Sequence, residues 1–208
     1  MVESLNIGMK NFKEFVIEAN TPSLFIWDID ETLMQTSAKI YVRKNGQLVR
    51  ALTNTEYNTY VKQPDETLDF SEFKRADVFK QTSKPYMNVM RIASRLLRVT
   101  LNNPGSRMII VTARSDFDDR ETFLDTFRQY GLNMRHIYVE RSGNLGLPTA
   151  EGKRVTIEKY LSTGQFANAT LFDDADANLA MFLGLQKKYT KINFHAYKAE
   201  HGTLRKVR

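Results

Sequence analysis

The chain has 208 residues, 42% of them hydrophobic, enough to bury a full core as one domain with an elaboration. Thirty Lys and Arg against 24 Asp and Glu give a formal net charge of +6, which favours anionic partners through a long-range attraction that salt weakens. There is no cysteine, so disulfides, thiolate metal sites and cysteine nucleophiles are excluded together; no apolar run approaches the roughly 20 residues that span a bilayer.

Taken in chain order, residues 4–19 place Ile7, Phe12, Phe15 and Val16 at a helical period and predict a helix packed on the body. The opening MVESLNIGMK lacks the charged-then-apolar pattern of a secretory signal, so a cytoplasmic location is expected. Residues 23–27 predict a first strand, and the apolar run LFIW stops at Asp28, Asp30 and Glu31, with Thr32 beside them. The segment 34–84 then breaks the rhythm. Asn45-Gly46 sits between short alternating runs, the commonest short signal for a tight hairpin, and the polar stretch after it carries scattered aromatics. It reads as a small inserted cap.

Beyond it, 85–103 predicts a helix, MIIVT a second strand, 116–131 a helix closed by Gly131, and HIYVE a third strand. A helix over 152–164 and the strand ATLFDD complete the pattern, and the basic tail 195–208 reads as solvated. Strands separated by helices with short turns imply right-handed crossovers. The expected class is α/β, a Rossmann-like parallel sheet with helices on both faces, with a core at 1–33 and 85–208 and the cap at 34–84 inserted after the first strand.

In such sheets ligands bind outside the carboxyl ends of the strands, which would bring Asp28, Asp30, Thr112, Asp173 and Asp174 to one edge. The two-residue spacing of Asp28 and Asp30 suits one carboxylate acting as nucleophile or metal ligand while the other handles a proton. An acid cluster of this kind calls for a cation. His136, His195 and His201 are dispersed, so oxygen ligands point to Mg²⁺ rather than zinc.

The set D28-I-D30-E-T32, V111-T112-A-R114, a lysine at a later helix start and F172-D173-D174-A-D176-A-N178 resembles the DxDxT phosphatases of the haloacid dehalogenase superfamily. The cap stretches LTNTEYNTY and LDFSEFKRADVF are similar to those of small members encoded by tailed bacteriophages, which would place the protein in a host cytoplasm. The resemblance implies that Asp28 attacks phosphorus and that Asp30 protonates the leaving oxygen and then activates water. It implies Mg²⁺ held by the Asp28 carboxylate, the Asp30 backbone carbonyl and Asp174; Asp173 is a further candidate at the metal, and Asp176 is either an acid behind those ligands or merely exposed. Thr32 would hold the loop by hydroxyl hydrogen bonds, Thr112 would donate to phosphoryl oxygens, and Lys153, rather than Lys159, would supply positive charge.

Glu31 stands where the superfamily often has glycine, and Asn178 where it usually has another acid. Arg114 is a candidate substrate contact, or only a partner of Asp116 or Asp118. Arg43 and Lys44, with Lys39 and Arg50, are candidates on the hairpin for receiving a nucleotide or nucleic-acid 3′-phosphate end. The run GLPTAEGKR departs from a phosphate-binding P-loop in its spacing and in Arg154, which argues against a nucleotide-driven kinase. The expectation is a phosphomonoesterase acting on a phosphorylated small molecule or nucleic-acid end, with no membrane and no obligate protein partner. The alternative is a non-catalytic module that binds a phosphorylated partner or nucleic acid in the same pocket.

Overall fold

The computed structural model describes residues 21–57 and 59–207. From the first described strand the chain runs through β1 (Ser23–Trp27), β2 (Met34–Gln35), β3 (Ile40–Lys44), β4 (Gln47–Leu52), one helical turn α1 (Asn54–Tyr57) and β5 (Glu66–Asp69). It continues through α2 (Ala76–Thr82), β6 (Lys84–Pro85), α3 (Met87–Asn102), β7 (Arg107–Thr112), α4 (Arg120–Arg128) and β8 (Tyr138–Arg141). The last elements are α5 (Thr149–Leu161), β9 (Asn168–Asp173), α6 (Asp176–Gly184), β10 (Asn193–Glu200) and β11 (Thr203–Lys206). The helix expected at 4–19 lies outside the described residues.

The main sheet has six strands in the order β11-β10-β9-β1-β7-β8, parallel except for the β10–β11 hairpin at one edge. This is the expected α/β class. Because side chains alternate along a strand, Phe25 and Trp27 of β1 face one layer with Met108, Ile110 and Phe172, while Leu24 and Ile26 face the other with Ile109, Val111 and Leu171. The first layer is covered by α2, α3 and α4, and the second by α5 and α6. In α3 the covering residues Val89, Met90, Ala93, Leu96, Leu97 and Thr100 recur every three or four positions, which makes one buried stripe. The Asp119 carboxylate starts α4 by accepting from the backbone N–H groups of Glu121 and Thr122 at 3.0 and 3.1 Å.

Between β2 and β6 lies a second, antiparallel sheet in the order β4-β3-β5. Its hairpin turns at Asn45 and Gly46, with φ of 51° and 79°, the left-handed pair that an Asn-Gly turn supplies with least strain. Ala38, Ile40, Val42, Leu52 and Phe73 form a small core of their own. Ala76 and Phe79 of α2, however, are buried in the main core beside Phe123 and Phe127. The separate core therefore ends near Phe73, short of residue 84.

The basic tail is solvated as expected over 201–207, which are mostly exposed, but not at its start. Residues 193–200 form β10, an interior strand with Phe194, Ala196, Tyr197 and Ala199 buried. The alternation is there in the sequence, but His195, Lys198 and Glu200 give the segment a polar composition that hides it.

Candidate active site

β1 ends at Asp28, whose backbone N–H donates to the carbonyl of Phe172 on β9 at 3.0 Å. The turn that follows is wound around the Ile29 carbonyl, which accepts from the N–H groups of Thr32, Leu33 and Met34 at 3.3, 2.9 and 2.9 Å. Ile29 itself is buried in the core, so the residues on either side of it, Asp28 and Asp30, emerge together at the sheet edge. Glu31 adopts φ of 59°, the left-handed region that favours glycine. Its conformation is secured at the far end, where its carboxylate accepts from Thr36 N–H at 3.2 Å and from the Tyr86 hydroxyl at 2.9 Å. The turn that Glu31 put in question is thus formed, with side-chain bonds offsetting the strain.

Lys153, on α5, is buried with 2% exposure, and its ammonium donates to Asp28 Oδ1 at 2.6 Å and Asp173 Oδ2 at 2.7 Å. Lys159 instead sits outside the site, against Glu140 at 3.2 Å. The other Asp173 oxygen accepts from Ala175 N–H at 3.0 Å and from the Asn178 amide at 2.9 Å. Asn178 at the usual acid position therefore serves to hold Asp173. Asp176 points away and pairs with Lys198 at 2.7 Å.

Asp28, Asp173 and Asp174 each offer a carboxylate oxygen, and these atoms lie within 4.8 Å of one another. One lysine does not neutralise three acids. Burial, with Asp173 and Asp30 adding repulsion against the pull of Lys153, raises the Asp28 carboxyl to about 7. Burial and the charges of Asp28 and Asp173 raise Asp174 to about 8. Burial works against the Lys153 charge, but Asp173 and Asp28 outweigh it and hold the ammonium above the ordinary lysine range. Oxygen donors only, with excess negative charge in a low-dielectric pocket, fit a hard divalent cation such as Mg²⁺.

Asp30 has a different neighbour. The Arg114 guanidinium grips both of its oxygens, Nε at 2.9 Å and a terminal nitrogen at 2.6 Å. Arg114 is itself buried, donates onward to the Phe73 carbonyl at 3.1 Å and the Thr36 hydroxyl at 3.1 Å, and lies 4.5 Å from the Phe73 ring and 4.7 Å from that of Phe79. Its expected partners are engaged elsewhere: Asp116 with Arg141 at 2.6 Å and Asp118 with the Ala76 N–H at 2.8 Å. Only tertiary folding brings β1, β7 and the segment around Phe73 together, so no local sequence signal marks this pair.

Thr112 ends β7 fully buried, with its hydroxyl accepting from Arg114 N–H at 3.2 Å. Thr32 is also buried, but its hydroxyl makes no hydrogen bond, so the turn is held by backbone bonds and by Glu31 rather than by Thr32 as expected. Arg43 and Lys44 are not brought to the strand ends. They are paired with Asp69 at 3.1 Å and Asp65 at 2.6 Å, since β5 lies antiparallel to β3 with Asp69 at its end and Asp65 just before its start.

A cleft of about 720 Å³ opens beside Asp30 between the antiparallel sheet and the ends of the main strands. Tyr57 and Phe70, which line it, went unmarked in the sequence because their segment has no clear periodicity.

No protein-family model matches the chain, and no curated protein sequence matches it. Among solved structures it is similar to the HAD domain of effector protein Lem4 from Legionella pneumophila, an inactive mutant. The TM-score is 0.47 at 12% identity, over 86% of this chain and 87% of that one. The α/β assignment accordingly stands on the sheet order and direction of this chain. Among the described residues no helix is long and apolar enough to cross a membrane.

Proposed function

We propose that the chain is a Mg²⁺-dependent phosphomonoester hydrolase of the haloacid dehalogenase type, working through an aspartyl-phosphate on Asp28, with residues around 38–73 as its cap. The observation that carries this reading is the meeting of Asp28, Lys153, Asp173 and Asp174 at the carboxyl ends of β1 and β9, beside a second carboxylate, Asp30, that belongs to a separate bonding network.

A divalent cation held by Asp28, Asp174 and the Asp30 backbone carbonyl would neutralise charge on the phosphoryl group. Asp28 Oδ1 is held by Lys153, which aims the carboxylate and offsets part of its charge, and the Asp28 oxygen then attacks phosphorus as the ester P–O bond breaks. Asp30, gripped by Arg114 on both oxygens, would act first as the carboxylate that takes a proton from the water cleaving the aspartyl-phosphate; with that grip opened to one oxygen, the protonated group would return the proton to the next departing alkoxide. Arg114 fixes the direction of the Asp30 carboxylate, and Thr112, at the end of β7, would donate its hydroxyl to a phosphoryl oxygen. The substrates of this chemistry would be phosphorylated small molecules or nucleic-acid ends in a cytoplasm.

Hydrolysis of para-nitrophenyl phosphate with Mg²⁺ tests the reading. Turnover that EDTA stops and Mg²⁺ restores supports it. A purified protein that binds phosphorylated ligands with Mg²⁺ but never releases phosphate would instead be a binding module.

A further inference from the structure

The cleft beside Asp30 has a composition that discriminates among phosphomonoesters, and we infer that it takes a leaving group containing a flat, uncharged aromatic ring of about nucleobase size. The inference rests on the proposed phosphatase reading for its chemistry and on the cleft for its selectivity.

The cleft's volume of about 720 Å³ lies within the roughly 300–1,000 Å³ range of small-molecule sites. Asp30 is one of its lining residues, and there the ester oxygen would receive its proton. Outward from there the wall is aromatic. Phe73 lies against the Arg114 guanidinium at 4.5 Å, Phe70 meets Phe73 with ring centroids 6.4 Å apart, and Tyr57 meets Phe70 edge-on at 5.4 Å and 84°. Leu68 and Leu147 add apolar surface, while Asn54 and Ser71 offer hydrogen-bonding groups at the wall. Rings and aliphatic side chains with a few polar groups suit a planar heteroaromatic ring.

The charges argue against a polyanion. Four charged residues line the cleft, Asp30 and Asp69 against Lys74 and Arg114, and they cancel. Arg114 is already committed to Asp30, and Arg43 to Asp69. Nucleic-acid affinity is dominated by phosphate contacts from lysine and arginine, and this lining has no surplus of them.

The test compares KM for each substrate between wild type and variant, so that the ease of departure of each alcohol, which enters KM through the covalent intermediate, divides out, and it checks the ranking across substrates by calorimetric binding to Asp28→Asn. Its substrates are a purine nucleoside monophosphate, para-nitrophenyl phosphate, glycerol 3-phosphate and a short 3′-phosphorylated oligonucleotide. The two aromatic monoesters should bind best, with the nucleotide at least as well as the smaller ring, and the oligonucleotide should gain nothing at low salt. Phe70→Ala should raise KM for the nucleotide about tenfold, the scale of one lost ring-stacking contact, and leave glycerol 3-phosphate unchanged. If Phe70→Ala does not fold, Phe70→Leu should give a smaller rise of the same selectivity. Equal calorimetric affinity across the panel, or equal losses for nucleotide and glycerol 3-phosphate, overturns the inference; a KM for the oligonucleotide that falls steeply as salt is lowered overturns it too. If no ester is hydrolysed the phosphatase reading fails separately. Calorimetric titration of Asp28→Asn then decides the cleft, with tighter binding of the nucleotide than of glycerol 3-phosphate supporting it and equal binding refuting it.

Discussion

At Asp28 a single carboxylate is asked to be both buried and reactive, and its neighbours decide whether that is tolerable. Asp28→Asn keeps the shape, removes the attacking charge and relieves repulsion from Asp173 and Asp30, so turnover of para-nitrophenyl phosphate should vanish while the metal-free protein melts no lower than wild type. A variant that still hydrolyses would remove Asp28 from the mechanism. Asp174 and Asp176 separate in the same way. Asp174 lies in the acid cluster and Asp176 is a surface partner of Lys198, so Asp174→Ala should weaken Mg²⁺ binding by calorimetry and Asp176→Ala should not. Similar losses from both would place the metal elsewhere.

At the scale of the elements, the contact between the antiparallel segment and the main sheet runs through Arg114. Removing one member of a buried ion pair leaves the other uncompensated, which costs about 3–5 kcal/mol. Arg114→Ala should therefore lower stability to urea by that order, and Arg114→Lys should not restore it, because an ammonium lacks the fork that grips both Asp30 oxygens. A loss under about 1 kcal/mol would mean the pair behaves as a solvated one. The β1–β2 turn offers a finer comparison. Glu31→Gly loses two hydrogen bonds but relieves the left-handed strain, so it should fall within about 1 kcal/mol of wild type. Glu31→Ala loses the same bonds and keeps the strain, so its urea midpoint should be clearly lower.

For the whole molecule, the cluster of acids links folding to pH and metal. Asp28 and Asp174 ordinarily titrate near 3.8 and are raised in the fold to about 7 and about 8, so the folded state holds more protons than the unfolded one between those values. Stability contributed by these groups is fully present below pH 3.8 and is lost as pH rises through about 7 to 8. Mg²⁺ competes with those protons. The rise in melting temperature on adding Mg²⁺ should be larger at pH 8 than at pH 5, and an equal rise at both would argue that the cation binds away from the cluster. The core supports this site from beneath. Trp27, Phe172 and Tyr197 stack across β1, β9 and β10 with centroids 3.8 and 5.3 Å apart, so Phe172→Ala should cost about 3–5 kcal/mol and disturb the strand ends that carry Asp28 and Asp173.

By itself the sequence determined the α/β class, because apolar runs of strand length alternate with helical periods, and the helices expected at 85–103, 116–131 and 152–164 close at Pro104-Gly105, Gly131 and Gly164. It also determined which residue types stand at the strand ends: Asp28, Asp30, Thr112, Asp173 and Asp174 can be read off as polar groups that follow buried runs. The hairpin at Asn45-Gly46 was legible for the same local reason. Tertiary structure decided what each of those groups meets. Arg114 finds Asp30, Lys153 bridges Asp28 and Asp173, and Arg43 is taken up by Asp69, through contacts spanning 84, 125, 20 and 26 positions of sequence. β10 was hidden because a charged composition outweighed its alternation until β9 and β11 were set on either side of it. Local chemistry fixes propensity and pattern, but a charge has no partner until the chain folds, and the partner decides whether that charge serves a cation, a proton transfer or only a neighbouring strand.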